Sequence, residues 1–388
     1  MAERYNVIVI MTDQQRANLF STEGFPEAIT PTLDSMTDNG VGFENAYTST
    51  PICAPARESL LTGRFPRVTG IRTNDAIEQS RYGIDLMQWS RELGYQTALI
   101  GKNHSHLTES DVDFYRPYSH DYGPERPGKE EIDRKFNDFM AELAHGVCTE
   151  PTPFPLDCQY PVRIVDDTID WLGSCGSQPF TLWMSLSEPH NPYQVPEPYF
   201  DMFPADTMPP VDDAEILESK SYPWRFSKKL IEKHYPNRRD LIARYRSNYL
   251  GMLRLIDDQI LRLLNFLDEA SLSERTILVF LSDHGDFVGE YGLLRKAVPI
   301  PECLARIPMI WKGPGIEGGM LSTPIVSIVD VFPTICEALG QEIPIGVQGR
   351  SLWPILTDKP YPEREFASMF VEQSLGGLPE DETSSKDL

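Results

Sequence analysis

Short apolar runs alternate along this chain with segments whose apolar residues recur at helical spacing. Each run is about as long as a buried strand, and together they predict strands at residues 5–11, 96–100, 180–186, 276–281 and 307–311. Such alternation is typical of βαβ units, which build a mainly parallel sheet with helices on both faces. The sequence therefore predicts an α/β fold, and 388 residues are enough for a large buried core.

The segments between the predicted strands are of two kinds. Helical spacing and terminal signals predict helices at residues 30–40, 85–94, 239–270 and 330–340. The stretches 111–161 and 189–237 are instead rich in proline, aromatic and charged residues. We interpret these two stretches as long irregular loops that form the walls of a pocket.

Charge and cysteine content narrow the possible functions. The net charge of −23 disfavours nucleic acid and anionic membrane as partners. The N-terminus lacks the pattern of a signal peptide, and no apolar stretch reaches the roughly 18 residues of a membrane span. The 6 cysteines are sparse and form no CxxC pair, which is typical of reduced thiols. We therefore expect a cytoplasmic protein.

Polar residues follow two of the predicted strands, at the edge where open α/β sheets bind ligands. Asp13 and Gln14 follow the first strand, and Asp283 and His284 follow the strand at 276–281. Two carboxylates, an amide oxygen and an imidazole suit a divalent cation. Turn and cap roles would account equally well for either pair alone.

Two further strands bring nitrogen groups to the same edge. Lys102 and His104 follow the strand at 96–100, and His190 follows the strand at 180–186. Their convergence favours a site with cationic and proton-carrying groups. The other histidines have no such setting, and we interpret them as surface or loop residues: His106, His120, His145 and His234.

A cysteine stands before a predicted helix in the string Cys53-Ala54-Pro55-Ala56-Arg57. Pro55 suits a first helical turn and Gly63 a helix end, so the thiol lies at a helix N-terminus, which favours a developing anion. The thiol could pack, bind metal, act as a nucleophile or be the precursor of another group. A simple phosphatase-like thiolate is disfavoured, because it needs Cys-x5-Arg and a loop of free amides, whereas this spacing is Cys-x3-Arg.

These motifs resemble the signatures of type I sulfatases in the alkaline phosphatase superfamily. The similar segments are residues 53–57 with Leu61-Thr62-Gly63-Arg64, residues 94–104, and Asp283-His284-Gly285 with Lys296. The resemblance implies an alkaline-phosphatase-like core over residues 1–360. It also implies that residues 361–388 hold the start of a truncated or reduced antiparallel C-terminal subdomain and a disordered tail.

The resemblance implies a modified nucleophile and a cation. A formylglycine-generating enzyme, as a transient partner, would convert Cys53 to 3-oxoalanine (formylglycine), whose gem-diol attacks sulfur and gives a covalent sulfo-enzyme intermediate. One divalent cation, Ca²⁺ before Mn²⁺ or Mg²⁺, would be held by a set of five residues: Asp13, Gln14, Cys53, Asp283 and His284.

Catalytic roles follow from the same resemblance. Arg57 would steady the diol, while Lys102 and Lys296 would neutralise and bind the transferred group. His190, with Lys296, would protonate the leaving alcohol, and His104 would deprotonate the second hydroxyl. The implied function is hydrolysis of small sulfate esters of a sugar or an aryl alcohol.

Two departures from the family pattern keep other functions open. Many sulfatases have a second aspartate in place of Gln14 and an asparagine in place of His284. Both variants occur in phosphonate monoester hydrolases of the same superfamily, so hydrolysis of phosphonate monoesters or phosphodiesters is the alternative. An inactive homologue that binds sulfated ligands is another. Asn74 lies where related hydrolases contact substrate.

Overall fold

The computed structural model describes residues 4–17, 29–75, 77–144, 146–209, 217, 219–234, 238–296 and 300–361. Its strands are β1 (Asn6–Asp13), β2 (Val41–Tyr47), β3 (Gln96–Lys102), β4 (Phe114–Tyr118), β5 (Phe180–Pro189), β6 (Thr276–Ser282), β7 (Met309–Lys312) and β8 (Gly319–Ser327). They form one 8-stranded sheet in the order β4-β3-β5-β1-β6-β7-β2-β8. Strand β7 is antiparallel to β6 and β2, and the other neighbouring strands are parallel. This arrangement confirms the predicted mainly parallel sheet.

Helices lie between the strands along the chain. Their bounds are Pro31–Asp38, Cys53–Thr62, Pro66–Thr69, Leu86–Glu92, Glu130–Leu143, Tyr160–Ser174, Tyr199–Met202, Tyr222–His234, Arg238–Glu269, Glu302–Ala305, Val331–Ala338 and Trp353–Leu356. We call Cys53–Thr62 the Cys53 helix and Arg238–Glu269 the long helix. The helices predicted at 30–40, 85–94, 239–270 and 330–340 are all present, with ends within a few residues of the prediction.

The central strands are buried on both faces, because apolar side chains of β1 alternate between two cores. Val7 and Val9 pack into the core that also contains residues of the Cys53 helix. Ile8 and Ile10 pack into the core on the other face, which the long helix covers with Ile256 and other apolar residues. Burial on both faces explains why β1 reads as a continuous apolar run.

The register of the sheet brings the ends of β1, β5 and β6 together. Thr12 of β1 pairs with Ser282 of β6, and Asp13 pairs with Pro189 of β5. On β3, Gly101 has φ +111°, and a Cβ atom there would lie 1.8 Å from the carbonyl oxygen of Ser185 on β5. Only glycine allows this close approach, which places the next residue, Lys102, at the same edge.

The two stretches interpreted as irregular loops are partly regular. Residues 111–161 contain β4 and the helix Glu130–Leu143, which buries Phe136 and Met140 in the sheet core. Residues 189–237 contain the helix Tyr222–His234. The irregular interpretation was wrong for these segments, because abundant surface charge concealed the helical spacing of their apolar residues. The predicted strand at the start of the C-terminal subdomain lies outside the described residues.

The strands that the sequence did not predict lie toward the edges of the sheet. They are β2, β4 and β8, and two of them carry a proline, at Pro117 and Pro324. Proline within an apolar run argues against a central strand but is tolerated at an edge. Among the described residues, no helix combines the length and apolarity that a membrane crossing requires.

Candidate active site

Two central strands bring two carboxylates together at the sheet edge. Asp13 ends β1, and Asp283 directly follows β6. With Cys53 and His284 they form a group that we call the donor cluster, in which one ligand atom from each residue lies within 4.8 Å of the others. All four residues are buried. The structure therefore brings together distant residues that the sequence predicted to share a cation.

The spacing within the donor cluster suits a single ion. Cys53 Sγ lies 3.3 Å from His284 Nε2 and 3.7 Å from Asp13 Oδ1. His284 Nε2 lies 3.8 Å from Asp13 Oδ1 and 3.7 Å from Asp283 Oδ1. Neighbouring ligands around a cation with bonds of about 2.4 Å are separated by roughly 3.4 Å. The sulfur lies at one of these ligand positions.

The ring of His284 is held in the tautomer that a metal ligand needs. Its Nδ1 donates to the carbonyl oxygen of Gly285 at 2.8 Å, which leaves the Nε2 lone pair facing the donor cluster. Burial and Lys296 disfavour a proton on the ring, but Asp283 and Cys53 outweigh them and raise the pKa of His284. A cation that binds at Nε2 therefore competes with a proton for the same lone pair.

Gln14 offers a further oxygen beside the donor cluster. Its backbone adopts φ 70° and its amide N–H donates to Asp283 Oδ1 at 3.0 Å. Its side-chain Oε1 is buried and has no hydrogen-bond partner among the described residues. A buried amide oxygen without a partner is a suitable cation ligand. The carboxylate oxygens of Asp13 and Asp283 beside it are ligands of the same hard type.

Arg57 orients both carboxylates of the donor cluster. Its Nε donates to Asp283 Oδ2 at 3.0 Å and its Nη2 to Asp13 Oδ2 at 3.2 Å. Its Nη1 donates to the carbonyl oxygen of Lys102 at 2.9 Å and to Ser185 Oγ at 2.7 Å. The guanidinium thus binds the Oδ2 atoms, while Asp13 Oδ1 and Asp283 Oδ1 lie 3.8 Å and 3.7 Å from His284 Nε2. Asp283 Oδ1 also accepts hydrogen bonds from the backbone N–H groups of Gln14 and His284.

Cys53 is the first residue of its helix, as predicted, and Gly63 ends that helix in the left-handed region at φ 63°. Lys296 Nζ lies 2.8 Å from the sulfur. Burial and Asp13 raise the pKa of the thiol, but Lys102, Lys296 and His284 together lower it well below its ordinary value. An anion at position 53 is therefore stabilised from several directions.

A group of nitrogen side chains lies beside the donor cluster. Lys102 Nζ forms an ion pair with Asp13 Oδ2 and lies 2.7 Å from His120 Nε2. The rings of His120 and His190 stack with centroids 3.7 Å apart. Burial opposes ionisation of Asp13, but the positive charges of Lys102 and Arg57 hold its pKa well below the usual range.

The histidines of this group are neutral in the absence of bound groups. Burial, followed by His120, holds the pKa of His190 well below its ordinary value, and burial with Lys102 does the same for His120. Burial also lowers the pKa of His104, whose ring hydrogen-bonds Cys53. A neutral His104 beside residue 53 is able to accept a proton from it.

Asn74 lies beside the same helix terminus. Its Oδ1 accepts a hydrogen bond from the backbone N–H of Ala54 at 3.1 Å. The side chain therefore satisfies one of the free amides at the start of the Cys53 helix, next to residue 53. All the residues predicted for the site thus lie around one point at the sheet edge.

Two histidines interpreted as surface or loop residues do lie in loops, but both make buried contacts that this interpretation missed. His120 lies in a loop after β4, but its ring belongs to the site. His106 also lies in a loop, yet its side chain is only 5% exposed and lies between Glu58 and Asp85. His120 follows β4, which neighbours β3, and this position could have indicated that it belongs to the site. The sequence analysis did not predict β4, so this indication was missed. His145 and the side chain of His234 lie outside the described residues.

Comparisons with known proteins agree with this geometry. The family described as Sulfatase matches residues 5–341. The chain is 30% identical to an arylsulfatase of Clostridium perfringens over 91% of this chain and 79% of that protein. It is 28% identical to a choline-sulfatase of Rhizobium meliloti over 90% of this chain and 71% of that protein.

A solved structure shares the fold at lower identity. The crystal structure of a phosphonate monoester hydrolase of Agrobacterium radiobacter superposes with a TM-score of 0.77 and 22% identity, covering 93% of this chain and 79% of that one. At this level of identity, the likeness shows that the two chains share a fold.

Proposed function

The chain belongs to the sulfatase family and is a sulfuric ester hydrolase, and we propose that it acts through an oxidised Cys53 and one divalent cation. The observation that carries this proposal is that the sulfur of Cys53 lies inside a buried set of cation ligands, 3.3 Å from His284 and 2.8 Å from Lys296. A residue used only for packing would not be surrounded by carboxylates, an imidazole and ammonium groups.

The cation would be held by Asp13, Gln14, Asp283, His284 and the converted residue 53. When bound, it would polarise an oxygen of the ester and favour ionisation of a hydroxyl on residue 53. The oxygen-rich set favours Ca²⁺, while the imidazole makes Mn²⁺ or Mg²⁺ an alternative.

The remaining side chains bind the ester and move protons. Arg57 fixes the two carboxylates, and Lys102 and Lys296 neutralise the charge of the transferred group. Burial disfavours a charged Lys296, but Cys53 and Asp13 outweigh it and raise the pKa of the ammonium, so this group keeps a proton. Lys296 is thus placed to protonate the leaving alcohol, and His104 to accept a proton from residue 53. The proposed role of His190 as a second proton donor requires that a bound ester first favour the charged form of its ring.

Conversion of Cys53 would precede folding. Cys53 is 1% exposed, and Pro55 and Arg57 of the same string are buried in the Cys53 helix. A formylglycine-generating enzyme, which must read this string, would have to bind it in an extended chain. We therefore propose that the partner enzyme acts on the unfolded protein.

Hydrolysis of phosphonate monoesters or phosphodiesters is the second candidate. The observation in its favour is the pair of unusual donors, Gln14 and His284, since both occur in formylglycine-dependent phosphonate monoester hydrolases. Lys102 and His104, which resemble the sulfatase pattern, favour sulfate as the main substrate.

The experiment is a comparison of esters on one preparation of converted protein. The value of kcat/KM is measured for nitrophenyl sulfate, a phenylphosphonate monoester and a phosphodiester, each with the wild type and with Cys53→Ala. We expect the sulfate ester to be preferred, and Cys53→Ala to abolish turnover of all three. A preference for the phosphonate would overturn the choice of substrate, and an active Cys53→Ala variant would overturn the mechanism.

A further inference from the structure

The nitrogen end of the Gln14 side chain is bound by a buried polar network. We propose that Asp286, with Tyr193 and Tyr245, positions the amide so that Oε1 faces the cation, and makes an uncharged ligand obligatory at position 14. We call these three residues the amide network. The inference rests on the proposed function, because it takes Gln14 as a ligand of the cation.

Asp286 is the common acceptor of the amide network. Gln14 Nε2 donates to Asp286 Oδ2 at 2.5 Å and to the hydroxyl of Tyr193 at 3.0 Å. The Tyr193 hydroxyl donates to Asp286 Oδ2 at 2.7 Å, and the Tyr245 hydroxyl donates to Asp286 Oδ1 at 2.6 Å. The backbone N–H of Val288 adds another bond to Oδ1 at 2.7 Å. These residues are all buried.

Asp286 therefore receives donors from several directions. An amide, two hydroxyls and a backbone N–H converge on its two oxygens, so both oxygens act as acceptors toward their neighbours.

This pattern fixes the orientation of the Gln14 amide. A reversed amide would place Oε1 against the carboxylate of Asp286, where two acceptors would repel each other without a proton between them. The backbone is held as well, because Gln14 N–H donates to Asp283 and its carbonyl oxygen accepts from the Tyr249 hydroxyl at 2.7 Å. The oxygen without a partner is therefore held in one direction before any cation binds.

The same pattern excludes a carboxylate at position 14. A glutamate would bring a second negative charge to within hydrogen-bond distance of Asp286 in a buried part of the protein. One of the two carboxyl groups would have to keep a proton, as in other closely spaced carboxyl pairs. The extra charge that should favour a cation would then not be available to it.

The test is a cycle of Gln14→Glu, Asp286→Asn and the double variant, with the dissociation constants of Ca²⁺ and Mn²⁺ measured by calorimetry on metal-free protein. Gln14→Glu alone should weaken binding at least about 10-fold, because outer-shell contacts typically account for about 10- to 100-fold in affinity. Asp286→Asn alone should weaken binding similarly. In the double variant, the new amide at position 286 can donate to the new carboxylate at position 14. That variant should recover the wild-type affinity or exceed it.

Two tyrosine variants distinguish a loss of Gln14 positioning from a general loss of stability. Tyr245→Phe removes a bond to Asp286, whereas Tyr199→Phe removes a similar bond to Asp258 of the long helix, 2.9 Å in length. Both should lower the melting temperature of metal-free protein, Tyr245→Phe by more because its hydroxyl also contacts the Tyr193 hydroxyl and the backbone N–H of Arg295. Only Tyr245→Phe should weaken cation binding.

The outcomes separate this inference from the proposed function. A wild type that binds neither cation contradicts the metal part of the proposed function. A wild type that binds a cation, together with a Gln14→Glu variant that binds it as tightly or more tightly, overturns the inference and leaves the proposed function standing. Equal cation affinity in Tyr245→Phe and Tyr199→Phe would also overturn it.

Discussion

The Cys53 helix carries two buried ionic clusters on neighbouring residues. Arg57 faces the donor cluster, where it binds Asp13 and Asp283. Glu58 faces the other way and binds His106, which also contacts Asp85; we call Glu58, Asp85 and His106 the His106 cluster. Both clusters are almost completely removed from solvent, so burial alone does not distinguish a site from a structural ion pair.

The two clusters differ in how completely their polar atoms are bonded. In the His106 cluster, Glu58 Oε1 accepts from the backbone N–H and Nδ1 of His106, and Oε2 accepts from Ser80 Oγ at 2.8 Å. Asp85 accepts from His106 Nε2 at 3.2 Å and caps the helix Leu86–Glu92. Around the donor cluster, by contrast, Gln14 Oε1 and the Nδ1 atoms of two of the site histidines, His104 and His120, lack protein partners among the described residues.

This contrast separates a structural cluster from a site that is prepared for a ligand. Buried polar groups are ordinarily paired, and an unpaired group is costly unless something else binds it. The His106 cluster is complete without a ligand, so its contribution should be to stability. The donor cluster is completed only by a cation and an ester, so its contribution should be to binding and catalysis.

The largest expected effect comes from changing Arg57 and Glu58 separately to glutamine. Arg57→Gln should lower kcat/KM about 10³-fold, because it releases both carboxylates and removes a positive charge from the site. It should also lower the free energy of unfolding by about 3–5 kcal/mol, since two buried carboxylates lose their cation. Glu58→Gln, the matched control, should lose stability but keep its activity. Equal losses of activity in the two variants would break the distinction between the clusters.

Lys102→Ala should have the next largest effect. The ammonium neutralises charge on the transferred group, so its loss should lower kcat/KM for the sulfate ester about 10²- to 10³-fold. Chemical denaturation should show a smaller loss of stability than in Arg57→Gln, because Asp13 keeps its bond to the guanidinium. The same loss on sulfate and phosphonate esters would remove the reason for treating Lys102 as a sulfate determinant.

His106→Gln should change how stability depends on pH. Burial alone would lower the pKa of His106, but Asp85 and Glu58 raise it from 6.5 to about 9. The stabilisation is therefore complete below the unfolded pKa and is lost as pH rises through about 9, a contribution on the order of 3 kcal/mol. Urea unfolding at about pH 6 and about pH 9.5 should show that the difference between wild type and variant shrinks at high pH. A difference that is constant with pH would show that His106 is not charged in the folded protein.

His120→Phe should have the smallest effect. Phenylalanine preserves the stacking on His190 but cannot accept the hydrogen bond from Lys102 Nζ. Losing one bond to a charged group, worth about 1.5 kcal/mol, should lower kcat/KM about 10-fold while the melting temperature changes little. An unchanged kcat/KM would show that Lys102 is positioned by Asp13 alone.

The sequence was most informative for the site residues that directly follow a buried strand. Asp13, Asp283 and Lys102 each follow a strand that is buried on both faces, so the run of apolar residues predicts both the strand and the position of the polar group. The Cys53 helix was predictable for a similar reason, because its first turn and its glycine end are local signals.

The sequence was less informative where the contacts are made between distant segments. His106 and Glu58 lie 48 positions apart, and Gln14 and Asp286 lie 272 apart. Nothing in either local sequence indicates that such residues meet, since their pairing depends on how loops pack after the sheet has formed. The same applies to His120, whose strand lies at the edge of the sheet and contains Pro117.

The central claim, that residue 53 is converted and acts within the donor cluster, is tested most directly by the mass of the peptide that contains residue 53. The protein should be purified from its own host, digested, and analysed by mass spectrometry. The account predicts a peptide in which one sulfur and two hydrogen atoms of Cys53 are replaced by one oxygen. An intact thiol in protein that hydrolyses sulfate esters would contradict it.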